Sequence, residues 1–575
     1  MKRYWKYIRP YIQYYILGPC FMMIEVVGDV LLPYMLAKII NQGIAERNVA
    51  YIIKIGAIMG LIAVIMAVGG VLGAWFASKA AMNFGADLRM DLFEKIQQFS
   101  FQNIDNFSTG SLITRLTNDI TQIQNMIMMT LRMCLRSPGI LIGAMVMAFV
   151  ISPKMAAIFI IVLPVLAVLI VVIMRRAFPQ FRTLQEKLDA LNSCIQEGLV
   201  GIRLIKSFVR GDYEEMRFEK RNQQLKEANL TAMKTMLLYT PLMTLALNIT
   251  TVVVVWSGGN MIVAGNMQVG DLTAFTNYIV QIMSSLTMLS IAFLNWARAI
   301  ASFRRVGEVL NEKIDLTDEN AKHKDRAVCE GSVEFQNVSF RYYKNSPEWV
   351  IENISFKLEA GKTLGIIGST GSGKSTLVSM IPRLYDTDEG TVLVDGINVR
   401  DYGLKPLREG IGMVLQNNTL FSGSITENLK WGDEHADEKA VRKAAQNAQA
   451  AGFIDSFKDG YRTRLEQSGN NVSGGQKQRL CIARALLKCP KILILDDSTS
   501  AVDTATERAI REALHSEYKD MTKIIIAQRI RSVMDADEIL VLDNGKTAGF
   551  GTHEQLLADC PVYREIYDVQ NGREE

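Results

Sequence analysis

The chain has 575 residues and a net charge of +4 from 63 Lys+Arg against 59 Asp+Glu, too small a balance for a nucleic-acid surface, so no nucleic-acid partner is expected. That length allows about three to five domains. Charge divides unevenly along it: residues 1–330 carry 33 basic and 24 acidic side chains, whereas 331–575 carry 30 and 35. The seven Cys are odd in number and form no CxxC, so neither a disulfide framework nor a zinc site is indicated, and reduced thiols facing a cytosol are the simplest reading.

The first residues, Met1-Lys2-Arg3-Tyr4-Trp5-Lys6-Tyr7, are basic and aromatic with no small-residue cleavage site after them. They predict a retained interfacial helix and not a secretion signal. Apolar runs then recur near 16–40, 56–80, 134–152, 155–174, 236–264 and 272–297. A helix needs about 20 such residues to cross the hydrocarbon core, so six runs predict a six-span helical transmembrane domain over 1–310. Glu25 and Asp29, four apart on one face of the first span, are costly there unless they face water or a partner. They are candidates for contact with a cationic substrate or for gating the outer mouth; the plainer reading is a structural pairing with an Arg or a polar lining residue.

Twelve Lys and Arg gather between Arg175 and Lys234, while Ser152-Pro153-Lys154 holds one and 264–270 none. The basic side is cytoplasmic by the positive-inside rule, which places both chain ends in the cytosol of a multi-pass protein of the inner, cytoplasmic membrane. The cytoplasmic connections keep helical character, so spans two to five are expected to continue below the bilayer. Residues 81–104, read as helix, project about 36 Å. Asp105–Gly110 and Arg210-Gly211-Asp212 carry turn residues, which predict a break with a short helix across each hairpin tip.

After a linker at 311–330 the pattern changes to short β-rich runs alternating with helical segments, the sign of an α/β domain over 331–575. The apolar strand Thr363–Ile367 runs into Gly368-Ser369-Thr370-Gly371-Ser372-Gly373-Lys374-Ser375-Thr376, a GxxxxGK[ST] loop before a helix. Glycines let backbone N–H groups turn toward phosphate oxygens, Lys374 neutralises phosphate charge and Ser375 offers an oxygen to Mg²⁺. A second apolar strand ends in Asp496-Asp497, the first carboxylate placed to hold Mg²⁺ through water. Between them, Ser473-Gly474-Gly475-Gln476 opens a helix and makes a second anion cradle. One γ-phosphate is not held by two distant cradles of one domain; a dimer, with one subunit's cradle closing on the other's nucleotide, resolves this.

These motifs together resemble the nucleotide-binding domain of ABC transporters, and the six preceding spans with long hairpins resemble an ABC exporter half. Gly110–Asp119 is similar to that family's first intracellular hairpin. The resemblance implies that ATP and Mg²⁺ are the cofactors, Tyr342 stacks on adenine, Gln416 senses Mg²⁺ and faces the membrane hairpins, and Ser500-Ala501-Val502-Asp503 is the D-loop. It also exposes departures. Hydrolytic members place a Glu after the Mg²⁺ carboxylate, where this chain has Asp497; its reach is about 1 Å shorter, a misplacement that costs on the order of a hundredfold in rate. The family's switch His is Gln528, which neither carries charge nor shuttles a proton, and none of His323, His435, His515 and His553 stands close enough in sequence to substitute. Gln467 stands where exporters often have a Glu before the signature.

ATP binding with weak hydrolysis is therefore expected at this chain's own site. The intact Ser473–Gln476 signature serves a second half-transporter that supplies the Glu and His. The expectation is one half of a heterodimeric ABC exporter, similar to bacterial multidrug exporter subunits with the degenerate site, moving a small amphipathic or drug-like molecule out of the cell. The alternatives are a homodimeric exporter with slow hydrolysis, and an ATP-binding membrane regulator that transports nothing.

Overall fold

The computed structural model describes residues 2–343, 346–498 and 502–571, with the side chains at 2, 290, 291, 293–295, 297, 298 and 571 outside the description. The chain divides into two compact units, residues 1–97 with 110–311, and residues 98–109 with 312–575.

The first unit is helical. After a short helical entry at Trp5–Ile8, helices run over Ile12–Lys38, Val49–Gln97, Pro153–Val200, Tyr239–Val263 and Val269–Asn311, with a further one broken between Met133 and Arg136 and resuming as Arg136–Ile151. Among the described residues five helical stretches are long and apolar enough to cross a membrane: Trp5–Ile44, Val49–Gln97, Thr109–Ile151, Pro153–Val200 and Gly211–Val263. The run 272–297 lies on the helix Val269–Asn311.

Lipid tails are as apolar as the helices, so association depends on close backbone approach. The first two spans achieve it through small residues. A Cβ on Gly73 would stand 3.1 Å from the Gly18 carbonyl oxygen, and one on Gly69 would stand 3.1 Å from that of Phe21. The core centres on Phe159 and Phe275, stacked at 5.7 Å, and on fully buried Tyr278, whose hydroxyl donates to the Val30 carbonyl at 2.9 Å. Large apolar side chains such as Val71, Ile161, Val168 and Trp256 point outward, as lipid contact requires.

The second helix stops at Gln97, short of the continuous 81–104 expected from pattern. Ser100 begins a new helix, Phe101–Asp105, with a capping box in which its hydroxyl accepts from the Asn103 N–H and the Asn103 side chain accepts from the Ser100 N–H. This tip groups with the second unit. Ser100 donates to Asp315 at 2.7 Å, the Asn103 amide donates to the Lys313 carbonyl at 2.9 Å, and the Tyr385 hydroxyl donates to Asp105 at 3.0 Å. The other hairpin has its short helix at Ile202–Ser207 before a turn into Gly211–Leu237.

In the second unit the strands are β1 (Val333–Phe340), β2 (Ile351–Leu358), β3 (Thr363–Gly368), β4 (Glu389–Val394), β5 (Ile397–Asn398), β6 (Ile411–Val414), β7 (Gly423–Ser424), β8 (Arg464–Leu465), β9 (Ile492–Asp496), β10 (Thr522–Ile526), β11 (Glu538–Asp543) and β12 (Lys546–Gly551). They form an antiparallel sheet β2-β1-β4-β5, a six-stranded sheet β12-β11-β3-β10-β9-β6 and the small pair β7-β8. In the six-stranded sheet β11, β3, β10, β9 and β6 are parallel. Strands buried on both faces must be apolar throughout, which is why Ile492–Leu495 and Leu364–Ile367 read as continuous hydrophobic runs. The order places β10 between β3 and β9, so the turns after all three open at one edge, where open α/β sheets hold ligands.

Candidate functional site

The loop after β3 is shaped by glycine. Gly371 and Gly373 have φ of 86° and 89°, and a Cβ on Gly373 would meet the Val350 carbonyl oxygen at 2.8 Å. The helix Lys374–Ser379 starts directly behind. The Lys374 ammonium turns back on its own loop, donating to the Gly368 carbonyl at 2.8 Å and the Ser369 carbonyl at 2.6 Å. Burial pushes its pKa down, opposed by the nearby Asp496 and Asp497. Ser375 donates to Asp496 at 2.9 Å, joining the two motifs that the sequence separates by 121 positions.

Asp496 ends β9 and is 4% exposed. Burial raises its pKa; the Ser375 hydrogen bond opposes this, and the neighbouring Asp497 adds to it. A buried carboxylate that, among the described residues, is met by one hydroxyl and a nearby Lys fits a divalent cation, and Ser375 beside it is a hard oxygen ligand. Gln416 lies two residues beyond β6, whose Val414 pairs with Leu495 of β9, so it is exposed at the same strand ends.

Asp497 holds a left-handed backbone, φ 48°, which Asp tolerates better than most side chains, and its N–H donates to the Ile526 carbonyl at 3.1 Å. The Gln528 amide donates to the Asp497 carboxylate at 2.9 Å. Burial raises the Asp497 pKa and this hydrogen bond lowers it. The two positions that depart from the family pattern are therefore in direct contact.

The Tyr342 hydroxyl pairs with that of Thr376 at 2.9 Å, and its ring stands edge-on to Phe340 and Tyr385 with centroids 5.1 and 5.3 Å away. Tyr342 lies past the end of β1, beside the phosphate loop. The Ser473–Gln476 run caps the 14-residue helix Gly474–Leu487: Ser473 and Gln476 form a reciprocal capping box that takes up the Gln476 N–H, and the helix start keeps the positive dipole end that suits an anion. No hydrogen bond among the described residues links this cap to the phosphate loop. Asp503 caps the helix Thr504–Glu517 through the Thr506 N–H at 3.0 Å, which holds its pKa down. Ser500 and Ala501 of the D-loop lie outside the described residues.

A contact the sequence does not disclose is made by Gln570. Its amide donates to the Gln528 carbonyl at 2.8 Å and accepts from the Ile530 N–H at 2.8 Å, clipping the loop after β10 on both sides. No local pattern marks it, since it lies 42 residues away on the helix Pro561–Asn571.

In the helical unit, Arg136 bonds Glu25 at 2.8 Å and Asp29 at 3.2 Å, and the Gln281 amide donates to the Asp29 carbonyl at 2.7 Å. The acidic pair thus has Arg136 as a partner.

Comparison with known proteins shows a family profile for the ABC transporter transmembrane region matching residues 15–286, and one for the ABC transporter matching 351–500. The uncharacterized ABC transporter ATP-binding protein YfiB of Bacillus subtilis is 39% identical over 574 residues, covering 100% of this chain and 99% of its own. An uncharacterized ABC transporter ATP-binding protein of Mycobacterium tuberculosis is 37% identical over 98% of this chain and 97% of its own. YgaD of Bacillus subtilis, whose provisional name is multidrug export ATP-binding/permease protein, is 34% identical over 99% of both. Among solved structures, a bacterial Atm1-family ABC exporter with ATP bound superposes with a TM-score of 0.81 at 24% identity over 98% of each chain.

Proposed function

The chain belongs to the ABC transporter family and has its exporter-type architecture; from that premise we propose that it is one half of a heterodimeric exporter. It holds ATP at its own site with little hydrolysis and lends its signature to the partner's nucleotide. The observation that carries this reading is the Gln528–Asp497 hydrogen bond: the carboxylate that would orient water is short, and one of its oxygens is engaged by an amide that takes no proton. The phosphate loop, by contrast, keeps every group that ATP binding requires. Ser375, Gln416 and Asp496 would hold Mg²⁺, which neutralises phosphate charge when bound. Tyr342 would stack on the adenine, and Ser473, Gly474, Gly475 and Gln476, with Asp503, would close on the partner's site.

Closure of the paired domains on ATP would drive the spans from inward- to outward-facing, through the tips near 105–110 and 211–215. Hydrolysis at the partner's Glu and His would reset them. ATP at this chain's site would favour the closed population without chemistry. Multidrug export from the inner membrane, with both termini cytosolic, is supported by the likeness to YgaD and by the Lys/Arg distribution. Glu25 and Asp29, with Arg136, leave a net negative intramembrane cluster suited to a cationic amphipath.

Phosphate release by the purified chain, alone and mixed with a similar half-transporter bearing Glu and His, tests the pairing. Turnover is expected only in the mixture; brisk turnover by the lone chain that Asp497→Asn abolishes would establish the homodimer instead.

A further inference from the structure

At the amino ends of β3, β9, β10 and β11, away from the phosphate loop, the second unit holds a cleft of about 1330 Å³. Three of its cations are engaged: Lys362 with Asp537 at 2.9 Å, Arg508 with Glu512 at 2.9 Å and Arg511 with Asp535 at 3.1 Å. Lys491, Lys519 and Lys523 line the cleft with no ion pair or side-chain hydrogen bond among the described residues. Lys523 is the informative one. It is 5% exposed, on the second residue of β10, in a parallel sheet where an unpaired ammonium is costly. Burial depresses its pKa, and Asp537 and Asp520 only partly oppose this. The Arg511 Nε is likewise buried without an acceptor.

The cleft has a functional neighbour. One wall is the segment Ile530–Asp535, directly downstream of Gln528. Arg511 donates to the Arg531 carbonyl at 2.7 Å, and Ser532 donates to buried Glu507 at 2.5 Å. A ligand that draws Arg511 and Lys523 together therefore bears on the segment that follows the switch position. Met534 and Tyr567 add apolar surface beside the cations, and Glu330 and Asp520 also line the cleft, so an anion must be held by the cations directly.

We propose that this cleft binds a phosphorylated small molecule through Lys523, Arg511 and Lys491, and that its occupancy orders residues 530–535 behind Gln528. The full chain in lipid nanodiscs, carrying Lys374→Ala so that the phosphate loop does not compete, is titrated with inorganic pyrophosphate by calorimetry. Amide exchange across 528–536 is read in the same samples. One equivalent binds, and Lys523→Met weakens it by about tenfold or more, the value of a charge-assisted hydrogen bond. The double change Lys491→Gln with Lys519→Gln, at exposed positions that cannot disturb the core, also weakens binding, and decides the matter if Lys523→Met fails to fold. Exchange at 530–535 slows with pyrophosphate. Silence up to about 10 mM, an equal response to sulfate at matched ionic strength, or affinity unchanged in the double variant would each overturn the site. Binding without slower exchange would overturn its link to the switch segment.

Discussion

The loop after β3 and the turns after β9 and β10 open at the same sheet edge, yet they depend on different parts of the chain. The loop works mainly through backbone: left-handed Gly371 and Gly373 aim N–H groups, and one ammonium adds charge. The neighbouring turns work through two side chains, Asp497 and Gln528, which here engage each other. On the proposed reading the backbone cradle is complete, whereas the side-chain pair is short of one methylene and one imidazole. On that reading, gripping a nucleotide and splitting it fall to neighbouring strands of one sheet and can be varied separately.

The largest effect that sharpens this contrast is expected from Asp497→Glu combined with Gln528→His in the chain paired with a copy of itself. Phosphate release should rise on the order of a hundredfold, the cost assigned to a 1 Å misplacement, while ATP affinity barely changes. Each single change should fall well short. A Glu beside Gln528 still meets an amide that holds no proton to give, and a His beside Asp497 faces a carboxylate too short to place water. A double variant with no gain would show that the loss lies elsewhere, and the contrast between grip and cleavage would collapse.

Contiguous motifs were legible from residue order alone. The phosphate loop, the Ser473 cap and the Asp496-Asp497 strand end each depend on neighbours within about ten residues, so spacing specifies their geometry. What stayed hidden depends on distant partners. Arg136 reaches Glu25 across 111 positions, Tyr385 reaches Asp105 across 280 and Gln570 reaches Gln528 across 42. The helix end at Gln97 was obscured for another reason: helical pattern persists through 98–104, and only the Ser100–Asn103 capping box divides it. That the two departures touch follows from β10 lying between β3 and β9, an order that no sequence period encodes.

A smaller effect concerns how the switch position is held. Gln570 fixes both flanks of the loop, and a neutral hydrogen bond contributes about 1 kcal/mol, so Gln570→Ala should speed release of a fluorescent ATP analogue by about fivefold. Gln570→Glu keeps the acceptor for the Ile530 N–H and loses the donor to the Gln528 carbonyl, so it should restore part of the slow release. Equal rates in all three proteins would mean that the C-terminal helix does not govern the loop, and that the carboxylate side stands on its own turns.

The smallest expected effect is on pH dependence, and it probes the cradle side. Burial raises the pKa of Asp496 above its unfolded value, so its contribution to stability is full below about pH 4 and is lost as pH rises through the raised folded value. The nucleotide-free chain should therefore melt with a downward component across that window, and Asp496→Asn, which carries no charge at any pH, should flatten it. Mg²⁺ with ATP should flatten the parent profile in the same way, because a dication beside Asp496 stabilises the ionised form, and should leave the variant nearly unmoved. Identical profiles for parent and variant would show that the buried carboxylate is already compensated by Ser375 and Lys374, and that the loop needs no metal to be at ease.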